Sequence, residues 1–255
     1  MTGLVSSIQM VQALALADLR VRYGRGPLRV LKWLLDPFAL VGVYLLLVAV
    51  LLERPGRAPG LSLACAVVPF QALMSTTINA LRAVELRAPV IINLAFPGTL
   101  LPLASVATES LAFGASGLLL VGMMAVYGIA PTAAVLWVPV LVCVTLLLAI
   151  AFAYAAAIVG LWHPELRQFA VSAVRTLFFA APGLVALDAI HGGAREILWI
   201  NPLTGIFEAF RAVFLDGTSP AAWQLLVPTA IAGLILAVTV PVFRAEAPHL
   251  AKVAG

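Results

Sequence analysis

Residues 110–164 read SLAFGASGLLLVGMMAVYGIAPTAAVLWVPVLVCVTLLLAIAFAYAAAIVGLWHP, 55 residues without an Asp, Glu, Lys or Arg. As one α-helix the stretch would be about 80 Å long, whereas the hydrocarbon core of a bilayer is about 30 Å thick. It must therefore cross a membrane twice. The natural hinge is Tyr127-Gly128-Ile129-Ala130-Pro131, which joins turn residues to a tyrosine suited to the membrane interface. Composition agrees: of 255 residues 63% are hydrophobic and 10% charged, where soluble domains carry about 25% charged residues. Mean hydropathy is +1.11. These values exclude an ordinary water-soluble globule and a disordered chain. The net charge of +4 is then read as a determinant of membrane orientation rather than of nucleic-acid binding. Cys65 and Cys143 both lie in apolar runs and predict buried thiols, not a disulfide framework or a zinc site.

Working outward from the central hairpin gives an all-α membrane protein in one domain, 1–255, with six spans near 31–52, 61–81, 99–126, 132–161, 169–187 and 221–243. An even number puts both termini on one side. That side would hold Arg20, Arg22, Arg25, Arg29, Lys32, Arg82, Arg87, Arg167, Arg244 and Lys252, against Arg54, Arg57, Arg195 and Arg211 opposite, so both ends are expected in the cytoplasm. The first thirty residues place their charges after the apolar stretch, which is not the order of a cleavable signal. Ile8, Val11, Ala15 and Leu19 recur at helical spacing and predict an amphipathic helix along the inner membrane surface, with a linker to about residue 30. Its basic residues could equally serve only as a topology anchor.

Residues 188–220 form neither a simple loop nor a span. Asn201-Pro202 reads as an N-cap followed by proline at the first helical position, opening a helix over 203–215 about 20 Å long. With the apolar residues 197–200 before it, this predicts two short helices dipping into the outer leaflet, as an outer gate or as a structural cap. Glu208 and Arg211, at i and i+3, are spaced to satisfy each other.

The chain has no G-x-x-x-x-G-K-[ST] loop, so a nucleotide would have to be held by another polypeptide. His163, His191 and His249 are too scattered for a metal site or a nucleophile–base pair, and no catalytic set is apparent. Two ionisable residues remain inside predicted spans, Glu109 and Arg175, each costing about 2.5–3.5 kcal/mol if it faced lipid at a helix centre. They are expected to approach each other, unless Arg175 instead reaches inward toward Arg167. Gln71, Ser75, Thr76, Thr77 and Asn79 on the second span serve as interhelical glue or as pathway lining. Small-residue rows at Ala149, Ala153 and Ala157, and at Ser110 and Gly114, predict helix packing. Prolines 69, 139, 182 and 228 predict kinks within spans.

Several segments, in this order, resemble the ABC-2-type permeases that export lipid-linked polysaccharides such as O-antigen, teichoic acid and galactan. Asp18-Leu19-Arg20-Val21-Arg22-Tyr23 with Trp33 and Pro37 resembles the D-L-[KR]-x-R-Y…W…P pattern. Residues 96–102, FPGTLLP, are similar to F-P-x-x-[IL]-L-P, Asn201-Pro202-Leu203-Thr204 to N-P-[LM]-[TY], and the Glu165-Leu166-Arg167 turn to R-[DE]-[LIV]. The resemblance implies a non-catalytic permease subunit of an ATP-driven exporter in the bacterial cytoplasmic (inner) membrane. It implies a homodimer on two copies of a separate ABC ATPase that carries the ATP and Mg. The cargo would be a polyprenyl-pyrophosphate-linked glycan, with membrane lipid around it.

In such a permease the cytoplasmic segment 82–98 would dock the ATPase, which points to Leu86, Arg87, Asn93, Phe96 and Pro97. Relatives carry lysines before F-P, whereas this chain has Ile91-Ile92-Asn93-Leu94-Ala95, a less electrostatic surface. The translocation path would run along the first and fifth spans. Trp33, Phe38, Tyr44, Phe169, Phe178 and Phe179, with Glu109 and Arg175, are the lining candidates, aromatic faces suiting sugar rings. The cluster Arg20, Arg22, Arg25, Arg29 and Lys32 would attract the pyrophosphate. Asn201, Pro202, Glu208 and Arg211 would belong to the exit gate. The same architecture could export a drug or small lipid. A membrane-embedded enzyme acting on polyprenyl lipids would need clustered carboxylates or histidines, which the sequence lacks.

Overall fold

A computed structural model of the protein describes residues 2–23, 39, 58–87, 98–183, 187 and 198–249. Nearly all of the predicted first span and the stretch 88–97 therefore lie outside the described residues. With them go Arg25, Arg29, Lys32, Trp33, Phe38, Tyr44, Asn93, Phe96 and Pro97, as well as the side chain of Arg22.

Among the described residues all regular structure is helical: α1 (Thr2–Tyr23), α2 (Pro59–Leu81), the single turn α3 (Ala83–Leu86), α4 (Leu101–Val126), α5 (Val138–Trp162), α6 (Arg167–Phe179), α7 (Pro202–Arg211) and α8 (Ala222–Glu246). Among the described residues four stretches are long and apolar enough to cross a membrane: Pro59–Leu81, Gly98–Val126, Ala133–Trp162 and Ala222–Glu246. The charge-free stretch indeed folds back on itself. α4 ends at Val126, Gly128 takes the left-handed conformation at φ 65°, and a 3-10 turn leads into α5.

α2 is the hub, packed against α4, α5, α6 and α7, and α5 in turn joins α8 to the bundle. The small residues Ala149, Ala153 and Ala157 are buried as expected, and the row continues to Gly160. A β-carbon on Gly160 would overlap the carbonyl oxygen of Leu81, so α2 and α5 touch backbone to backbone there. By contrast Gly114 has open space around it, so the Ser110–Gly114 row does not pack a neighbour among the described residues. Cys65 is buried as expected, but Cys143 is exposed on α5. An apolar helix in a membrane looks alike on its core and lipid sides, so sequence does not separate these cases.

Pro69 and Pro228 lie inside α2 and α8, but Pro139 stands in the first turn of α5, where its missing N–H is no loss. Pro182 sits in the turn that follows α6. That turn ends the helix read as the fifth span, 169–187, eight residues early. At 13 residues α6 is about 20 Å long.

Contacts sort the helix ends into two groups. At one end the Tyr127 hydroxyl accepts from the Gly60 amide (3.3 Å), and the Thr132 hydroxyl donates to the carbonyl of Gly217 (2.9 Å). At the other, Tyr154 donates to the Thr99 carbonyl (3.0 Å) and meets Phe243 edge-on, while Arg167 pairs with Glu85 at 2.7 Å.

Candidate functional site

A helix too short for a full crossing that ends inside a membrane leaves its last carbonyls without partners, a cost that must be met inside the protein. α6 meets it with side chains from the segment after it. Asn201 caps α7 by accepting from the Leu203 amide (3.0 Å), and its Nδ2 donates to the Leu177 carbonyl of α6 (2.8 Å). Arg211, on the last turn of α7 and 2% exposed, donates from Nη1 to the Pro182 carbonyl (2.8 Å) and from Nη2 to that of Gly183 (3.2 Å). Its positive charge also opposes the negative end of the α6 dipole. The same guanidinium pairs with Glu208 (2.7 Å), as its spacing predicts, and its Nε reaches the hydroxyl (3.1 Å) and carbonyl (3.2 Å) of Ser62 on α2.

The rest of the N-P-L-T-G element serves the same junction. Pro202 is the first residue of α7, the Thr204 hydroxyl donates to the Leu198 carbonyl (2.6 Å), and a β-carbon on Gly205 would sit 2.7 Å from the Gln224 carbonyl of α8. Beyond Arg211 a π-helical turn, Ala212–Asp216, closes on Gly217 at φ 67°. Asn201, Pro202, Glu208 and Arg211, read as gate residues, therefore form a joint at which α2, α6 and α7 meet. Apart from Glu208, the side chains of α7 are buried.

α6 itself is two-faced. Gln168, Ser172, Arg175 and Phe179 lie at i, i+4, i+7 and i+11 on an exposed stripe, with Phe169 and Thr176 beside it. Were α6 within a bilayer, Arg175 turned to lipid at a helix centre would cost about 2.5–3.5 kcal/mol, which favours water or protein on this side. Opposite, on α2, Gln71 and Ser75 join Arg175, Phe70, Phe178 and Phe179 around a cavity of about 450 Å³. Phe179 is 61% exposed at its rim. Phe178 is fully buried against Phe70 (4.5 Å between ring centroids) and Phe207 (5.7 Å), a packing anchor rather than a free lining ring. Gln168, Ser172 and Thr176 escaped notice in the sequence, although their helical spacing around Arg175 is the signal that finds them.

Glu109 and Arg175 do not meet. Glu109, 4% exposed on α4, accepts from Asn79 of α2, and among the described residues no ion pair joins it to Arg175, which lines the cavity between α2 and α6. Position along a helix gives depth but not azimuth, and Asn79 was the nearer partner.

At the opposite end of the bundle Asp18 of α1 accepts from Arg87 (2.6 Å) and from the Thr108 hydroxyl (3.3 Å). Arg87 also donates to Ser105 (3.2 Å) and is 3% exposed. It is thus buried, not presented for docking, whereas Leu86 is exposed. α1 is helical as predicted, and its Ala15 and Leu19 are buried in the structure, where α1 packs on α4. Arg20 is exposed. Asp18→Asn leaves the Arg87 guanidinium enclosed beside a neutral partner. Trypsin should then cut the folded protein after Arg20 or Arg22 several-fold faster than it cuts the wild type, with the rest of the bundle intact. In the turn before α6, the backbone amide of Glu165 and then His163 (3.3 Å) hold the Glu165 carboxyl below its ordinary range. That contribution is present at neutral pH and disappears only as acid protonates the carboxylate.

No family model matches the chain. It is 25% identical over 203 residues, 78% of each chain, to an O-antigen export system permease protein RfbA of Klebsiella pneumoniae. A second protein of that name from the same organism is 25% identical over 204 residues, 79% of this chain and 78% of its own. One from Myxococcus xanthus is 24% identical over 237 residues, covering 92% and 91%. The resemblance read from the motifs is thereby borne out: the chain is similar to O-antigen export system permeases over most of its length.

Proposed function

We propose that this chain is the membrane-embedded permease subunit of an ATP-driven exporter of a lipid-linked polysaccharide, working as a homodimer with two copies of a separate ABC ATPase. The observation that carries this reading is the similarity to three O-antigen export permeases across 78–92% of the chain. The geometry supports it. A 13-residue helix presents a polar and aromatic face beside a cavity, a combination that tolerates sugar hydroxyls and offers ring contacts without tight binding of any one group. Six spans, both termini in the cytoplasm of a bacterial inner membrane, and α1 lying at the inner membrane surface complete the proposal.

In this arrangement Leu86 and the segment 88–97 receive the ATPase, and the Asp18–Arg87 pair ties α1 to the start of that segment. Movement of the docking segment is passed to α1 through this ion pair and to α4 through the Ser105 and Thr108 hydroxyls that bond its two partners. Arg20, Arg22, Arg25, Arg29 and Lys32 gather the pyrophosphate at the inner surface, and Trp33, Phe38, Tyr44, Phe169, Arg175 and Phe179 border the path. Nothing in this role asks the chain to bind a nucleotide.

Co-expression tests the reading. The chain, purified through an affinity tag from cells that also make candidate ABC ATPase subunits, is expected to retain one of them and to restore surface glycan in a cell lacking its own permease. Retention of none, with no restored glycan, contradicts the proposal.

A further inference from the structure

We propose that the cavity between α2 and α6 is an anion site that takes the phosphate of a lipid, held by Arg175 with Gln71 and Ser75. Among the described residues Arg175 is the one cation lining this space, no carboxylate lines it, and Arg175 makes no hydrogen bond or ion pair. Glu109, expected from the sequence to be its counter-charge, accepts a hydrogen bond from Asn79. A guanidinium in a largely apolar pocket binds most strongly to an anion with two coplanar acceptors, and a phosphate presents such a pair of oxygens to it.

The remaining lining sets the ligand class. Gln71 and Ser75 are one turn apart on α2, so both can donate to further phosphate oxygens without adding charge. Phe70, Phe179 and Ile78 make the walls apolar. One cation among apolar walls suits an amphiphile carrying a single phosphate group next to hydrocarbon or a sugar face. A nucleotide or another free polyanion would need several cations. The volume of about 450 Å³ lies within the range of small-molecule sites, about 300–1,000 Å³. A prenyl phosphate and an anionic phospholipid headgroup share this chemistry. The identity of the carrier rests on the export reading, but the site does not.

The test is equilibrium binding to the full chain in mild detergent, with geranylgeranyl phosphate, geranylgeraniol, phosphatidylglycerol and inorganic phosphate as probes. Geranylgeranyl phosphate is expected to bind the wild type, geranylgeraniol at least tenfold more weakly. Arg175→Gln should lose at least tenfold, and Arg175→Lys less than that. Gln71→Leu, which leaves the charge in place, gives a second reading through a smaller loss. Phosphatidylglycerol binding with the same dependence on Arg175, in place of the prenyl phosphate, supports the site and assigns it to the surrounding membrane. Unchanged binding of every phosphate probe to Arg175→Gln overturns the site, as does equal binding of the alcohol. Inorganic phosphate competing at the same concentration as the lipid phosphate overturns the lipid assignment. Should Arg175→Gln bind normally while ATP-driven glycan export persists, the site falls and the export reading stands. Arg175-dependent binding in a chain that joins no ATPase gives the reverse.

Discussion

Arg211→Ala should destabilise the folded protein by about 3–5 kcal/mol, the cost of removing one partner from a buried ion pair. The guanidinium is fully enclosed, and three other groups depend on it: Ser62 of α2 and the carbonyls of Pro182 and Gly183. Alanine leaves Glu208 enclosed with the Leu187 amide (2.9 Å) as its one donor among the described residues, and takes the Arg211 donors from the two carbonyls in the turn after α6. Thermal unfolding of the detergent-purified protein reads the loss. Cys65, buried in α2, should also become reactive to a maleimide in a Cys143→Ser background, because α2 and α7 part. A Glu208→Gln, Arg211→Met double variant should recover part of the loss, since no lone charge remains. Wild-type stability in Arg211→Ala would show that α6 is held from elsewhere.

Gly160→Ala gives the second large effect. The added methyl meets the backbone oxygen of Leu81, which cannot rotate away, so α5 and α2 must separate. The helix-propensity gain of alanine over glycine is about 1 kcal/mol, and overpacking of this kind costs about 1–3 kcal/mol or more. With backbone as the obstacle, the clash wins. Separation also strains Arg167, which bridges the Gly160 carbonyl (3.1 Å) to Glu85 (2.7 Å). Gly122→Ala on α4 is the matched control, with open space around its β-carbon, and should be neutral or slightly stabilising. Equal behaviour of the two variants in the same unfolding assay would remove the close crossing from the account.

What could be read in advance follows from the physics of each feature. Asn201-Pro202 marks a helix start because capping is local, and the Glu208–Arg211 pair forms because i, i+3 spacing on a helix fixes the neighbours. The turn at Tyr127–Gly128 was legible because 55 uncharged residues exceed one crossing. Tertiary choices were not legible. Glu109 pairs with Asn79 rather than Arg175 because rotation about a helix axis is set by packing, which no spacing encodes. Arg87 is spent on Asp18, across 69 residues of chain, so its basic charge looked available when it was not. The length of α6 was overread because Pro182 and Gly183 count as tolerable in a span. Their carbonyls are instead the acceptors that Arg211 needs.

The joint at Arg211 and the polar face of α6 share one logic. A helix can end short of a full crossing and turn a face carrying Arg175 away from lipid only if protein satisfies its end and something other than hydrocarbon meets that face. The first condition is met in the structure by Asn201 and Arg211. The second is what a passage for a polar cargo would supply.

Vesicle reconstitution tests this most directly. The chain, its ABC ATPase and a polyprenyl-pyrophosphate-linked glycan are placed in sealed proteoliposomes, and the appearance of glycan across the bilayer is followed with and without ATP. Movement is expected only with both subunits and ATP present, and it should fall when Arg175 or the Asp18–Arg87 pair is changed. Glycan crossing with the chain alone, or ATP hydrolysis by the chain alone, would contradict the account.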